Sequence, residues 1–399
     1  MEKSLSRESN WKSDISVFLL GMCALLNLYS TQPVLKKLAE QFSVSLNSSA
    51  LTISMTTLGV AITAPIAGSI SDRIGRRKVM LAAILAMILA TFLSMFAPSF
   101  WLLLFGRLAQ GIATPFVFAV AVAYINETFP LNQAVRLNSV YVAGTAFGGF
   151  SGRFFSGMFY DFFKSVAATF VPLVLILGIA FFVTLRWLPV DPNFVANKSR
   201  QNVWMGMAKH LKDWRILFTC FVGMSLLFQQ VSSFTFGSLR MQESPLNLNT
   251  FEVGLVFIVF LVPSVLTPFI GKLILKIGIS KAFIITTGIG LAGLLLSLVP
   301  NIWLMILGLT ASCVAVFAGQ SCGLQFVGQH VKSNKSTAVG IYLTSYYLGG
   351  TIGGILPAPF FNHFGWPSTV LLIWIVSCLA IFMALLAWRG KNFKNKRIN

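Results

Sequence analysis

The sequence predicts an all-α membrane protein whose twelve transmembrane helices form two pseudo-symmetric six-helix bundles. Three observations carry that prediction. Hydrophobic residues make up 56% of the chain and charged residues only 10%, too few to clothe a water-exposed surface. The charges are gathered into short clusters between long uncharged runs. Related residues also recur in the second half at a nearly constant distance from their counterparts in the first.

The uncharged runs cover 41–71, 79–106, 108–126, 165–185, 216–239, 253–271, 282–329 and 336–388. A helix needs roughly 20 apolar residues to cross about 30 Å of hydrocarbon. The last two runs are long enough for two crossings each. Each carries turn chemistry near its middle, Pro300-Asn301 in one and Asn362, His363 and Gly365 to Pro367 in the other, so each reads as a helical hairpin. The second run breaks in the same way at 97–99. The resulting spans are 15–38, 49–70, 79–96, 100–125, 137–160, 166–187, 214–237, 252–275, 280–299, 302–328, 336–360 and 366–388, numbered 1 to 12 below.

A formal net charge of +19 raises the question of nucleic-acid binding, and the placement of the charge answers it. Of the 30 Lys and Arg residues, only Lys36, Lys37, Lys164 and Arg240 fall on the face away from the N-terminus. Arg107 and Arg153 lie inside spans, and all the others fall on the N-terminal face. That asymmetry follows the positive-inside rule and puts both termini in the cytoplasm. Polar residues precede span 1, which is too long for a cleaved leader and is read as retained. The cysteines Cys23, Cys220, Cys313, Cys322 and Cys378 all fall within spans with no CxxC pair, which supports neither a disulfide framework nor a zinc site.

The internal repeat pairs GSISDRIGRRK from Gly68 with GKLILKIGISK from Gly271. Pro65, Gly68, Ile74, Gly75 and Lys78 match Pro268, Gly271, Ile277, Gly278 and Lys281 at an offset of 203. Trp101 and Gly106 match Trp303 and Gly308 at 202, and Tyr141, Gly148 and Gly149 match Tyr342, Gly349 and Gly350 at 201. The halves are therefore 1–188 and 213–399, the second ending in a basic tail. A polar cytoplasmic linker over 189–212 joins them, with a short amphipathic helix expected over 203–211.

Two clusters carry chemistry on their own terms. Between spans 2 and 3, Gly75 permits a tight turn, Gly68 is small at a helix junction, and Asp72 stands among Arg73, Arg76, Arg77 and Lys78. Inside spans 4 and 5, Arg107 and Arg153 are costly cations that need a partner or a wet cavity. Together they make the cavity attractive to an anion or to a buried carboxylate. In span 5, Gly144, Gly148, Gly152 and Gly157, with Gly149 beside them, make a smooth face for close helix packing. Gly349, Gly350, Gly353 and Gly354 repeat it in span 11.

The segment from Gly68 through Asp72, Arg73, Gly75, Arg76 and Arg77 resembles the signature of the major facilitator superfamily between helices 2 and 3. The glycine-rich span 5 is similar to that of its drug and metabolite exporters of the proton-antiporter type. This resemblance implies a cytoplasmic latch in which Asp72 helps hold the halves together in the outward-facing state. Leu275 replaces Asp72 in the second half, so the latch is one-sided. The pattern of Arg107, Gln110 and Gly111 implies a role in proton or substrate coupling, the other reading being a structural arginine snorkelling to the interface. A cavity lined by spans 1, 4, 7 and 10 is implied, with Asn27, Gln32, Gln110, Thr114, Gln229, Gln230, Ser233 and Gln320 as its polar lining. Each of these is equally readable as glue between helices.

Span 1 departs from the cation exporters, which often carry an acidic residue there. Every Asp and Glu of this chain falls at a predicted helix end or in a loop, so a proton carrier must be sought among Asp72, Glu127, Asp161 and Glu252. Two decoys fall away. Gly288, Gly290 and Gly293 fit GxGxxG but lie inside span 9 with no preceding strand. The histidines His210, His330 and His363 are scattered among loops without ligand spacing.

The expectation is a secondary transporter that works by alternating access and exports a small amphipathic or organic-anion compound by proton antiport. The alternative is proton-symport or facilitative uptake of a small organic solute. An enzyme would show His, Asp or Glu clustered within the spans, and a receptor would show a sizeable soluble domain; neither pattern is present. The reading implies no cofactor and no metal, with a proton gradient as energy source. Its partners are a small-molecule substrate and the lipid bilayer, with no nucleic acid. The chain is expected to be a monomeric multi-pass protein of the plasma membrane, the inner membrane in a bacterium.

Overall fold

Cap residues set where the helices begin, and glycines set where they turn. The structure, a computed structural model, describes residues 2–190, 210–331 and 335–388. Ser45, Ser99, Asp213, Asn249 and Asn301 each accept a backbone N–H with the side chain at the start of a helix, satisfying donors that have no intrahelical partner. Asn249 and Glu252 complete a reciprocal capping box,. Gly75 and its repeat partner Gly278 both take positive φ, +106° and +86°, which side chains disfavour. The chain thus reverses at the same place in each half.

Every predicted span is helical, and among the described residues there is no strand. Spans 2, 3, 6, 7, 9, 10 and 12 are Leu46–Ile74, Arg76–Met95, Val166–Trp187, Trp214–Met241, Ile279–Leu296, Ile302–His330 and Trp366–Ala387. With span 4, Phe100–Thr128, eight helices among the described residues are long and apolar enough to cross a membrane. The stretch Thr250–Leu266 and Phe269–Ile277, bent by 52°, makes a ninth. The other three spans lie in Glu2–Leu26, Leu131–Phe163 and Lys335–Ile355. They are richer in polar residues and glycine, as suits helices that face protein.

Several spans are not the single rods expected. Span 1 ends as an α-helix at Leu26, unwinds over 27–31, and continues through a 3-10 turn Gln32–Val34 into Leu35–Phe42. Span 4 divides into Phe100–Ala113 and Pro115–Thr128, and span 11 into Lys335–Ile355 and Pro357–Phe364. In both, proline at the first position of the new piece lacks the N–H that would bond back into the old one. Span 8 runs as Thr250–Val256, a 3-10 turn Phe257–Phe260 and Leu261–Ile277. Span 5 is longer than expected, Leu131–Phe163. Most of the expected linker, its helix over 203–211 and the basic tail lie outside the described residues.

One core, with Leu20, Leu104, Tyr124 and Phe170, fills the first bundle. A larger one fills the second and takes in Leu28, Tyr29, Ile53 and Val60 of the first, so the apolar core continues across the junction of the bundles. The repeat is visible in the packing. Gly148 and Gly152 would carry a Cβ into the backbone of Met22 and Leu26, and Gly349 and Gly353 into that of Met224 and Phe228. Span 5 is therefore held on span 1 as span 11 is held on span 7.

Candidate functional site

Unwinding span 1 leaves carbonyl groups that the bilayer interior cannot hydrate, and Arg107 supplies donors for them. Its Nη2 donates to Leu28 O at 2.9 Å, its Nε to Thr52 O at 3.0 Å, and its Nη1 to Gln110 Oε1 and to Ser30 Oγ. The side chain is fully buried and does not snorkel. Broken helices are tolerated at membrane depth where other groups satisfy the freed backbone, and Arg107 ties the break in span 1 to spans 2 and 4. Gln110 carries the network onward to Thr91 and Ser94, and Asn27 also donates to Thr91.

Arg153 has different surroundings. Only 2% exposed, its Nε donates to Gln32 Oε1 at 2.7 Å and its Nη1 to Gly149 O. Three aromatic rings surround the guanidinium. Its carbon is 4.7 Å from the Tyr29 centroid, 4.8 Å from Phe257 and 4.3 Å from Phe260. Tyr29 and Gln32 belong to the first bundle and the two phenylalanines to span 8 of the second, so Arg153 bridges the junction. Gln32 bridges it as well, donating to Thr235 Oγ1 at 3.1 Å. Among the described residues neither Arg107 nor Arg153 forms an ion pair.

The remaining polar candidates divide by what they touch. Gln229 donates to Ser312 and accepts from Ser377, holding spans 7, 10 and 12 together. Thr114 and Ser233 return their hydroxyls to the carbonyls of Gln110 and Gln230 on their own helices. Gln230 donates to Cys313 Sγ at 3.4 Å, while its Oε1 is buried with no partner. Gln320 is half-buried on span 10.

The glycines do two jobs. Gly144, Gly148 and Gly152 face span 1 of their own bundle; Gly157 alone of the set faces the backbone of Thr250 in the other. Close packing at the stripe is thus mostly within the first bundle, and only Gly157 serves the junction. In span 11, Gly349 and Gly353 face span 7, whereas Gly350 approaches Thr57 and Gly354 approaches Ser54 of span 2 across the junction. Gly111 is pressed on Thr56. A Cβ on Gly149 would meet only ordinary contacts, and one on Gly68 would meet nothing within 4 Å, so the steric need expected at Gly68 is not present here.

At the basic end, Asp72, Arg76 and Glu127 form one cluster: Arg76 Nη2 lies 2.6 Å from Asp72 Oδ1 and 2.7 Å from Glu127 Oε1. Arg77 Nη2 donates to Leu185 O, and Arg73 is exposed. These bonds tie spans 2, 3, 4 and 6 within the first bundle.

The opposite end is joined across the bundles, which sequence reasoning did not anticipate. Asp161, at the end of span 5, accepts from the Thr250 hydroxyl and, at 2.7 Å, from the Phe251 backbone N–H at the start of span 8. Gln242 of span 7 donates to Pro33 O at 3.1 Å. Deeper in, Ser54 and Thr57 of span 2 bond to Thr351 of span 11. Only the place of Asp161 among possible proton carriers pointed this way; its partner is a backbone N–H, which no sequence motif marks.

The sequence model of the Major Facilitator Superfamily matches residues 17–260 and 238–399. An uncharacterized MFS-type transporter, YybF of Bacillus subtilis, is 27% identical over 97% of this chain and 96% of its own length. The inner membrane transport protein YnfM of Escherichia coli is 28% identical over 92% of this chain and 88% of its own. Among solved structures, a bacterial homolog of the human lysosomal transporter Spinster, in an inward-facing and unoccupied conformation, superposes with a TM-score of 0.75. Its sequence identity is 14%, covering 96% of this chain and 98% of that one. A point mutant of the nucleoside transporter NupG gives 0.74 at 14% identity, covering 94% of this chain and 100% of that one.

Proposed function

This chain belongs to the major facilitator superfamily and is a multi-pass membrane transporter, and from that premise we infer that it exports a small molecule by proton antiport. The observation that carries the reading is the bond between Asp161 and the start of span 8. Of the four carboxylates open to a coupling role, Asp72 and Glu127 pair with Arg76 inside the first bundle and Glu252 closes a capping box inside the second. Asp161 alone of the four bonds across the junction.

An ionised carboxylate at a helix N-terminus is favoured by the dipole and by the orphan N–H groups. Protonation removes the charge and weakens the cap, so a proton arriving at Asp161 loosens the joint between the bundles. The other charges near it are Lys164, 3.6 Å away, and the Lys37–Glu40 pair beyond Tyr160. With the bundles joined at the Asp161 end and the basic end taken as cytoplasmic, the reading is of an inward-facing state that substrate enters from the cytoplasm. Proton entry from outside then drives the chain outward-open and the substrate leaves; the proton is given up to the cytoplasmic side as the chain returns, which completes the exchange.

The test is flux of a compound panel into inverted vesicles, with the proton gradient intact or collapsed, for the natural chain and Asp161→Asn. Uptake that stops on collapse, and that Asp161→Asn no longer couples to the gradient, is expected. Uptake that persists on collapse excludes antiport. Movement of the same compounds only in the opposite sense establishes import.

A further inference from the structure

We propose that the substrate is a small organic anion, a carboxylate on an apolar or aromatic body, and that Arg153 is the group that binds its carboxylate. The assignment rests on the reading of the chain as a transporter and names what that transporter carries.

The argument begins with charge balance. A guanidinium deep in a low-dielectric interior is stable only when its charge is answered. Arg107 is answered by backbone carbonyls and an amide oxygen arranged around a break in span 1. Arg153 has one amide oxygen, one carbonyl and three ring faces. It leaves Nη2 without a hydrogen-bond acceptor among the described residues. The sequence left two ways to balance the buried cations, an anion or a buried carboxylate. Among the described residues no Asp or Glu side chain is buried, and those in ion pairs are taken by Lys37, Arg76, Arg136, Lys164 and His330.

A second observation also points to a ligand. Gln230, on the second bundle, is 5% exposed and has a buried Oε1 with no partner. Its Nε2 bonds to Cys313, which lies within electrostatic reach of Arg153. Unused hydrogen-bonding capacity therefore exists on both bundles: donor capacity on Arg153, which a carboxylate meets, and an acceptor on Gln230, which takes a hydroxyl or N–H carried by the rest of the ligand or by water and not the carboxylate,. Such capacity is uncommon in buried sites and calls for a missing partner.

The chemistry of the missing partner follows from the lining. Guanidinium presents a planar fork that matches a carboxylate. Tyr29, Phe257 and Phe260, with Tyr346 and Tyr347 buried near Tyr29, favour an apolar or aromatic body. A cationic substrate would meet Arg153 with no carboxylate to offset the repulsion, which selects against it. Because Arg153 touches both bundles, a ligand that takes its guanidinium competes with Phe257 and Phe260 and so acts directly on the junction that must open.

The test is ligand-dependent thermal stability of the purified, detergent-solubilised chain, which needs neither a gradient nor a direction of transport. Hexanoate, benzoate and 1-naphthoate are each compared with the matching primary amide and amine. At least one carboxylate is expected to raise the melting temperature saturably while its amide and amine do not. Arg153→Gln should weaken that half-saturation about tenfold to a hundredfold, and Arg153→Lys should weaken it less. A series led by the amines or amides, no response to any carboxylate, or an undiminished carboxylate response in Arg153→Gln overturns the proposal. Should Arg153→Gln not yield a monodisperse protein, the ranking of the three series on the natural chain decides. Carboxylate binding without gradient-driven export would leave this assignment standing and remove the antiport reading; gradient-driven export confined to amines would do the reverse.

Discussion

The guanidinium carbon of Arg153, on span 5, lies 4.3 Å from the ring centroid of Phe260, on span 8 of the other bundle. A motion that parts the bundles at the Asp161 end must separate this pair, together with the Asp161 cap and the Gln32–Thr235 bond. The closed end is thus held by several modest interactions, which suits a joint that must open repeatedly.

Phe260→Leu keeps an apolar side chain and removes the ring. A desolvated cation–π contact contributes about 2 kcal/mol, so the closed state should lose on the order of that amount. Maleimide labelling of a cysteine placed at Phe251 should quicken about thirtyfold in this variant. An unchanged rate would mean that the contact does not hold the end closed.

Arg107→Lys should destabilise the fold more than a conservative charge-keeping change suggests. One ammonium cannot reach Leu28 O, Thr52 O and Gln110 Oε1 together as the guanidinium fork does,. Each buried acceptor left bare costs about 1–3 kcal/mol. A melting temperature several degrees lower, with membrane insertion retained, is the expected result of thermal denaturation in detergent.

The glycines separate into those that tolerate a methyl group and those that do not. Gly148→Ala and Gly152→Ala drive a Cβ into the backbone of Met22 and Leu26, and overpacking of that kind costs about 1–3 kcal/mol or more. Gly68→Ala meets open space inside a helix and should gain up to about 1 kcal/mol from helix propensity. Melting temperatures of the three variants should straddle that of the natural chain.

Acid stability has a specific contributor at the start of span 7. Burial pushes the Asp213 carboxyl up, but the His330 imidazole at 2.8 Å and the Arg215 N–H at 2.9 Å outweigh it and hold the group below its ordinary value of 3.8. A depressed carboxylate contributes stability that is present above the ordinary value and is lost as pH falls through the folded value. The natural chain should therefore exceed Asp213→Asn in melting temperature near neutrality, and the difference should fade once the pH drops below about 4.

The bundles, the turns at Gly75 and Gly278 and the repeat were legible because they depend on local chemistry: hydropathy, positive φ and small residues at fixed spacing. The unwinding of span 1 was not. Asn27 to Thr31 carries no glycine, and the break is stable because Arg107, far along the chain, donates to the freed Leu28 carbonyl. The roles of the two buried arginines were likewise indistinguishable in sequence, since each is a lone cation in an apolar run. Their difference lies in which neighbours the fold delivers: carbonyls to Arg107, and aromatic rings from both bundles to Arg153. The Asp161 joint was hidden for the same reason, because a backbone N–H has no sequence signature.

Rocking of one bundle against the other is most directly tested by pulsed electron paramagnetic resonance on two spin-label pairs in nanodiscs, Lys164 with Glu243 at the Asp161 end and Lys78 with Lys281 at the basic end. The account predicts that Asp161→Asn lengthens the first distance and shortens the second. Distances that stay fixed, or that lengthen together, would contradict it.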